Sequence, residues 1–165
     1  MSVKAVVMPE PGKLVNREFP YPTVTEDSAI IKVDMCGICG TDKHMYQGEI
    51  EHPRGASSTF PIIPGHEVVG TIAEIGEKAS MVMEVDGKPL AEQDRVVLIC
   101  DLRCENCYSC RQIYGFPVCE KYVQFSYGTG MTCADPPHLF GGWAEYIYLL
   151  PDTRLAKVPA GVPVD

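Results

Sequence analysis

A chain of 165 residues with 45% hydrophobic and 22% charged side chains has the size and mix of one globular domain with a proper core. Its formal net charge of -8, with no basic cluster, argues against a surface built to neutralise phosphates. No apolar run reaches bilayer-spanning length, and the opening Val3-Lys4-Ala5-Val6-Val7-Met8 is too short for a secretory leader. Eight cysteines then read as metal ligands in a reducing compartment rather than as a disulfide framework, so the cytoplasm is the expected location.

In chain order, residues 3–8 form an apolar run closed by Pro9-Glu10-Pro11-Gly12, a strand and turn, with residues 14–19 as the hairpin partner. Residues 28–35 are β-branched and partly alternating, which predicts a central strand leading into Cys36-Gly37-Ile38-Cys39-Gly40-Thr41-Asp42-Lys43-His44. Residues 41–47 suit a short helix with Thr41 or Asp42 near its start. Residues 49–61 read as a polar loop carrying His52 and Arg54. Residues 66–75 give the clearest strand, and Gly70 inside it predicts a bulge or a close backbone approach. Residues 81–85, the dipeptide Asp86-Gly87 and a short run to Leu90 predict a hairpin. Residues 95–99 predict a buried strand, residues 122–137 a turn-rich connection, and residues 143–149 and 155–158 the last strands. The expected architecture is mainly β and barrel-like, with the chemistry on its connections.

The most specific spacing is Cys104-x2-Cys107-x2-Cys110-x8-Cys119. Four thiolates at such intervals can close a tetrahedral shell around zinc with no open position, so this site would be structural; the competing reading is a set of free or disulfide-linked cysteines. Cys100 ends an apolar strand and reads as core. Cys39 and His66 are also zinc-type ligands, with a third to come from Glu67 or elsewhere. They lie far apart in sequence, and spacing equally allows a buried small Cys39 and a hydrogen-bonded His66. Cys36 is assigned to the core.

Thr41 and His44 could pass protons, since histidine exchanges them readily near neutral pH. By spacing alone they read as a capping threonine and a surface histidine. His52, His138, Trp143 and Tyr46 are candidates for a cleft rim, although each reads first as a loop or packing residue, and Asp94-Arg95 reads as a structural ion pair.

Taken together, these residues resemble a known family. Gly65-His66-Glu67-x2-Gly70-x5-Gly76-x2-Ala79 is similar to the signature of the zinc-containing medium-chain alcohol dehydrogenases, and Cys39-Gly40-Thr41-Asp42-x-His44 resembles their first zinc-ligand segment. Asp94-Arg95-Val96, the four-cysteine lobe, Gly141-Gly142-x-Ala144-Glu145-Tyr146 and Lys157-Val158-Pro159 follow in the family's order. The resemblance implies that residues 1–165 form a GroES-like catalytic domain, a partly open β-barrel with a few short helices and a zinc lobe at about residues 100–120. It implies a catalytic zinc on Cys39 and His66, with Glu67 ligating it or standing beside it, and a structural zinc on Cys104, Cys107, Cys110 and Cys119. Thr41 would take the substrate's hydroxyl proton, and His44 would relay it by way of the coenzyme ribose.

The implied activity is a zinc-dependent, NAD- or NADP-linked oxidation of an alcohol, polyol or sugar hydroxyl, or the reverse reduction. The implied partners are a small-molecule alcohol and, at full length, further copies of the enzyme, with no nucleic acid and no membrane.

Three departures stand against the pattern. The last cysteine interval is eight residues where seven is expected, and Gln93 replaces a glycine before Asp94-Arg95-Val96, which predicts a different turn there. The chain also holds no Gly-x-Gly-x-x-Gly, and Gly128-x-Gly130 lacks its third glycine and its strand–helix setting. The expectation is therefore a catalytic domain without its Rossmann coenzyme domain, inactive alone, with a further zinc ligand beyond Asp165. The alternatives are a stand-alone zinc-binding or interaction module without catalysis, and a zinc-free reductase on the same barrel.

Overall fold

Strict alternation opens the structure. β1 (Ser2–Glu10) buries Val3, Ala5 and Val7 while exposing Ser2 and Lys4, and it pairs antiparallel with β2 (Lys13–Pro20) across Pro11-Gly12. The computed structural model describes residues 1–49, 60–112, 119–122 and 126–163. Among them a second, five-stranded sheet contains β3 (Ala29–Cys36), β4 (Val68–Ile75), β5 (Arg95–Ile99), β6 (Tyr146–Leu149) and β7 (Arg154–Lys157). Its order is β6-β3-β4-β5-β7, and every neighbouring pair is antiparallel.

Two register shifts, between Ile30 and Ile31 and between Val33 and Met35, bend the β3–β4 ladder. Gly70 sits opposite Val33, where a Cβ would stand 2.5 Å from the Lys32 carbonyl oxygen, so the bulge and the close approach expected at this glycine occur together. The curved sheet meets the hairpin through single bridges, Ala5 to Ala144 and Met8 to Ile62, and through Val6 N–H donating to the Trp143 carbonyl at 2.8 Å. The barrel is thus only partly closed. Between the sheets lie Ile30, Ile31, Ile72, Ile147, Leu149 and Leu155, all fully buried and each stabilising by about 1.5–3 kcal/mol. Tyr127 is fully buried with them, and its hydroxyl meets Thr153 Oγ1 at 2.7 Å and accepts from Leu150 N–H at 2.8 Å.

Among the described residues three helices sit on the connections: α1 (Gly40–Gln47), α2 (Glu77–Val82) and α3 (Tyr108–Gln112). α2 overturns the hairpin expected over residues 81–90. Lys78 and Ala79 donate their N–H groups to the Glu26 carbonyl, which starts a helix with Ala79 buried beneath it. The buried Glu84 carboxylate accepts from the Asp86 and Lys88 amides, at 2.6 and 3.2 Å, so a side chain organises the Asp86-Gly87 turn. The two sides of that turn meet through Ser80 and Leu90, where Leu90 N–H donates to the Ser80 carbonyl at 2.9 Å, rather than through a strand ladder, and Glu84 bridges to Leu155.

The expected Asp94–Arg95 ion pair is also replaced. Asp94 pairs with Lys157 at 2.7 Å, and Arg95 Nη1 donates to the Val162 carbonyl at 2.8 Å. Gln93 adopts φ 72°, a left-handed backbone that a residue other than glycine holds at a cost in strain. His52 and Arg54 lie outside the described residues.

Candidate metal centres

Register builds the first centre. Cys36, at the end of β3, pairs with Val68 at the start of β4, and Gly37 N–H donates to the Glu67 carbonyl at 2.8 Å. The residues just beyond that pairing, Cys39 on one side and His66-Glu67 on the other, therefore leave the sheet at the same end. Cys39 Sγ, a His66 ring nitrogen and a Glu67 carboxylate oxygen lie within 4.8 Å of one another. A Cβ at Gly37 would meet the Glu67 carboxylate, so a larger residue there would displace that side chain. Cys36 itself points away, packed between Gly65 and Gly142 as the core assignment expects.

Cys39 occupies the N-cap of α1, where backbone N–H groups converge. The Thr41 amide and then the Thr41 hydroxyl, with Oγ1 3.7 Å from the sulfur, hold this thiol below its ordinary range.

Asp42 is the residue that sequence reasoning left at the helix start without a role in the site. Its carboxylate is buried and joins the two halves of the centre. Oδ2 accepts from Cys39 N–H at 2.8 Å, Oδ1 accepts from Gly65 N–H at 3.2 Å, and Oδ1 stands 3.7 Å from His66 Nδ1. The Cys39-x2-Asp42 spacing is that of a capping box and could have been read from sequence; the reach to Gly65 and His66 could not. Asp42 raises the His66 pKa to about 9, against the effect of burial. Burial pushes the Asp42 carboxyl up, but His66 and the two amides outweigh it and hold the group ionised.

His66 Nδ1 is buried with no hydrogen bond among the described residues, since 3.7 Å is an ion-pair contact rather than a formed bond. An imidazole aimed by a carboxylate, beside a thiol held low and a second carboxylate, is a donor set that suits zinc. We expect Asp42→Asn to weaken zinc at this centre about 10–100-fold, as loss of such a supporting carboxylate does elsewhere. Competition with a zinc-binding dye would measure the change. Unaltered affinity would show that Asp42 only caps the helix.

The second centre is the cysteine lobe. Cys104, Cys107, Cys110 and Cys119 place their sulfurs within 4.8 Å of one another, so the eight-residue interval is accommodated. Backbone amides point at three of these sulfurs: Cys107 N–H at Cys104 Sγ (3.3 Å), Cys110 N–H at Cys107 Sγ (3.4 Å) and Cys104 N–H at Cys119 Sγ (3.4 Å). Such amides stabilise thiolates. The Glu120 and Cys110 amides push Cys107 down to about 6, whereas burial and then the neighbouring sulfurs of Cys107 and Cys119 push Cys110 up to about 12. Four sulfurs this close cannot all be anionic unless a cation joins them. All eight cysteines are free thiols, and Cys100 is partly buried against the core as expected.

The remaining candidates separate. Thr41 stands beside Cys39, and His44 is exposed one helical turn later with Nδ1 2.7 Å from Glu49 Oε2. Trp143 packs on Gly65, next to His66. His138 stacks on Phe19 at 5.2 Å and its Nδ1 contacts the Cys133 carbonyl at 3.0 Å, so it is a packing residue, while Tyr46 is an exposed residue of α1. No described helix is long and apolar enough to cross a membrane.

A partly open β-barrel carrying one four-thiol lobe and one Cys–His–Glu cluster defines a domain with two candidate metal centres. The chain belongs to the alcohol dehydrogenase GroES-like domain family, whose model matches residues 25–160. It is similar to D-arabinitol dehydrogenase 1 of Uromyces fabae, at 36% identity over 83% of this chain and 31% of the relative. It is also similar to zinc-type alcohol dehydrogenase B of Aspergillus flavus, at 33% identity over 97% of this chain and 32% of the relative. Among solved structures, an alcohol dehydrogenase from Thermotoga maritima superposes with a TM-score of 0.79 and 28% identity, covering 100% of this chain and 43% of that one. The chain thus spans a third to two fifths of the length of the curated relatives it matches.

Proposed function

We propose that this chain is the metal-bearing catalytic domain of a zinc-dependent, NAD- or NADP-linked dehydrogenase that interconverts a hydroxyl of an alcohol, polyol or sugar with its carbonyl. The observation that carries the proposal is the convergence of Cys39, His66 and Glu67 beside the Thr41 hydroxyl, at the end of the β3–β4 ladder. Cys39, His66 and Glu67 would hold the catalytic zinc, and Cys104, Cys107, Cys110 and Cys119 a structural one. When bound, the catalytic zinc supplies Lewis acidity that makes the substrate hydroxyl easier to deprotonate.

The chain's own residues do the rest in this reading. Asp42 orients His66, Thr41 accepts the substrate's proton at its hydroxyl oxygen as it gives up its own, and His44 passes a proton on towards solvent. The hydride acceptor is a nicotinamide held by a dinucleotide-binding domain outside residues 1–165, so these residues alone take up zinc without turning over alcohol. The complete enzyme is proposed to be a homo-oligomer working on small molecules in a reducing, cytoplasmic setting, where its free thiols persist.

The direct test is the zinc content of protein produced with zinc and purified without chelator. About two ions per chain are expected, one for each donor set. About one would mean that the Cys39 centre needs a ligand from elsewhere, and none would overturn the metal assignment.

A further inference from the structure

We propose that Glu49 is a positioning residue that fixes the tautomer of His44: it accepts the proton on Nδ1 and so leaves Nε2 as the ring's only acceptor. The inference rests on the proton-passing role proposed for His44. It starts from how α1 ends. Gly48 adopts φ 72° and ψ 21°, a left-handed stop, and its N–H points to the His44 and Met45 carbonyls. The next amide, Glu49 N–H, donates to the His44 carbonyl at 2.9 Å. The chain therefore folds back over the last helical turn, and the Glu49 side chain returns alongside the His44 ring, with Oε2 2.7 Å from Nδ1.

An ionised carboxylate has no proton to give, so at this distance the ring nitrogen must be the donor. A neutral imidazole has one N–H, and here it is committed to Glu49. Nε2 then carries a free lone pair, which a group that receives protons must present. The pair is exposed, at 53% for His44 and 55% for Glu49, and exposed pairs contribute little to stability. Its consequence is proton placement rather than folding. Thr41 and His44 are three residues apart on α1 and share a face of the helix, so the acceptor is set one turn from the hydroxyl that precedes it in the proposed path.

The test is long-range nitrogen–proton NMR of the histidine rings in this chain, at a mildly alkaline pH where an ordinary imidazole is neutral. In the wild type, His44 is expected to show a protonated Nδ1 and an unprotonated Nε2. Glu49→Ala is expected to lose that pattern and return the ring towards the Nε2–H form that a free histidine side chain prefers. Glu49→Gln is expected to keep the Nδ1–H form, because its amide oxygen still accepts. The backbone amide spectrum shows whether each variant is folded. A wild-type ring already in the Nε2–H form, or an alanine variant whose ring is unchanged, would overturn the proposal. Zinc content measured on the same samples reads the proposed function separately: a wild type without zinc counts against that function and leaves the tautomer result to stand or fall alone.

Discussion

Cys39→Ser is expected to lower the zinc content from about two ions per chain to about one, with the fold unchanged. The two effects separate because Cys39 does two jobs. As a metal ligand it must be an anion, and its position at the N-cap of α1, beside the Thr41 amide and hydroxyl, holds the thiol below its ordinary range. A serine hydroxyl in the same place stays protonated at neutral pH and is a far weaker partner for zinc. As a helix cap, serine is among the preferred residues, so α1 and the Asp42 contacts to Cys39 N–H and Gly65 N–H persist. Metal analysis would show the lost ion, and circular dichroism with urea unfolding would show stability within about 0.5 kcal/mol of the metal-free wild type. In an enzyme completed by its coenzyme-binding part, loss of several kcal/mol of electrostatic stabilisation predicts a fall in turnover of about a thousandfold or more. A serine variant that kept both ions would show that Cys39 is not a ligand.

The parts of this molecule that were legible in the sequence are those whose information is local. The interval pattern of Cys104, Cys107, Cys110 and Cys119 points to a candidate metal lobe, and the structure does bring the four sulfurs within 4.8 Å of one another. The strands around Val3, Ile30 and Ile72 declare themselves by apolar patterning, and Gly70 announces its own close approach. The Cys39–His66 centre was open on spacing alone, because the two residues meet only through the pairing of Cys36 with Val68; the resemblance to a family supplied what spacing could not.

Asp42 was missed for the same reason, since its hold on Gly65 and His66 is a contact across the fold. The error over residues 81–90 has a different origin. Asp86-Gly87 is a turn signal and does form a turn, with Gly87 at φ 73°, but the buried Glu84 carboxylate closes it from one side and the preceding residues coil onto Glu26. A turn dipeptide specifies a reversal of the chain; it does not specify that two strands leave it. Gln93 makes the complementary point, holding a glycine-like φ where tertiary pairing on both sides, Gln93 N–H to the Ile72 carbonyl and Ile72 N–H to the Asp94 carbonyl, leaves no other path.

Cys107→Ser is expected to release the lobe's zinc and unfold the lobe while the barrel and the Cys39 centre remain. The reason is how little the described part of the lobe buries besides its cysteines. α3 has five residues, none of them buried, far short of the length at which a helix is stable alone. Tyr108 is 73% exposed, so the aromatic ring of α3 adds no core of its own. Among the described residues, side-chain contacts at its surface include Glu120 Oε1 accepting from Ser109 N–H and Oγ, and Lys121 and Tyr122 both reaching Asp152, at 3.0 and 2.6 Å. Each is worth about 1 kcal/mol or less, whereas structural zinc in a small site supplies an apparent 10–16 kcal/mol, roughly ten times as much.

Cys107 is also the thiol most strongly prepared as an anion, and its sulfur receives the Cys110 amide, so its replacement removes a ligand and a hydrogen-bond acceptor together. Hydrogen exchange on this variant should show the amides of residues 104–112 and 119–120 exchanging without protection, against full protection for Ile30, Ile31 and Ile72 in the sheet. The Tyr122–Asp152 contact marks where the loss should stop, because Asp152 belongs to the turn that Thr153 and Tyr127 tie into the core. If the lobe amides kept their protection with serine at position 107, the four sulfurs would be ornaments on a loop that folds by itself, and the metal reading of the lobe would fail with them.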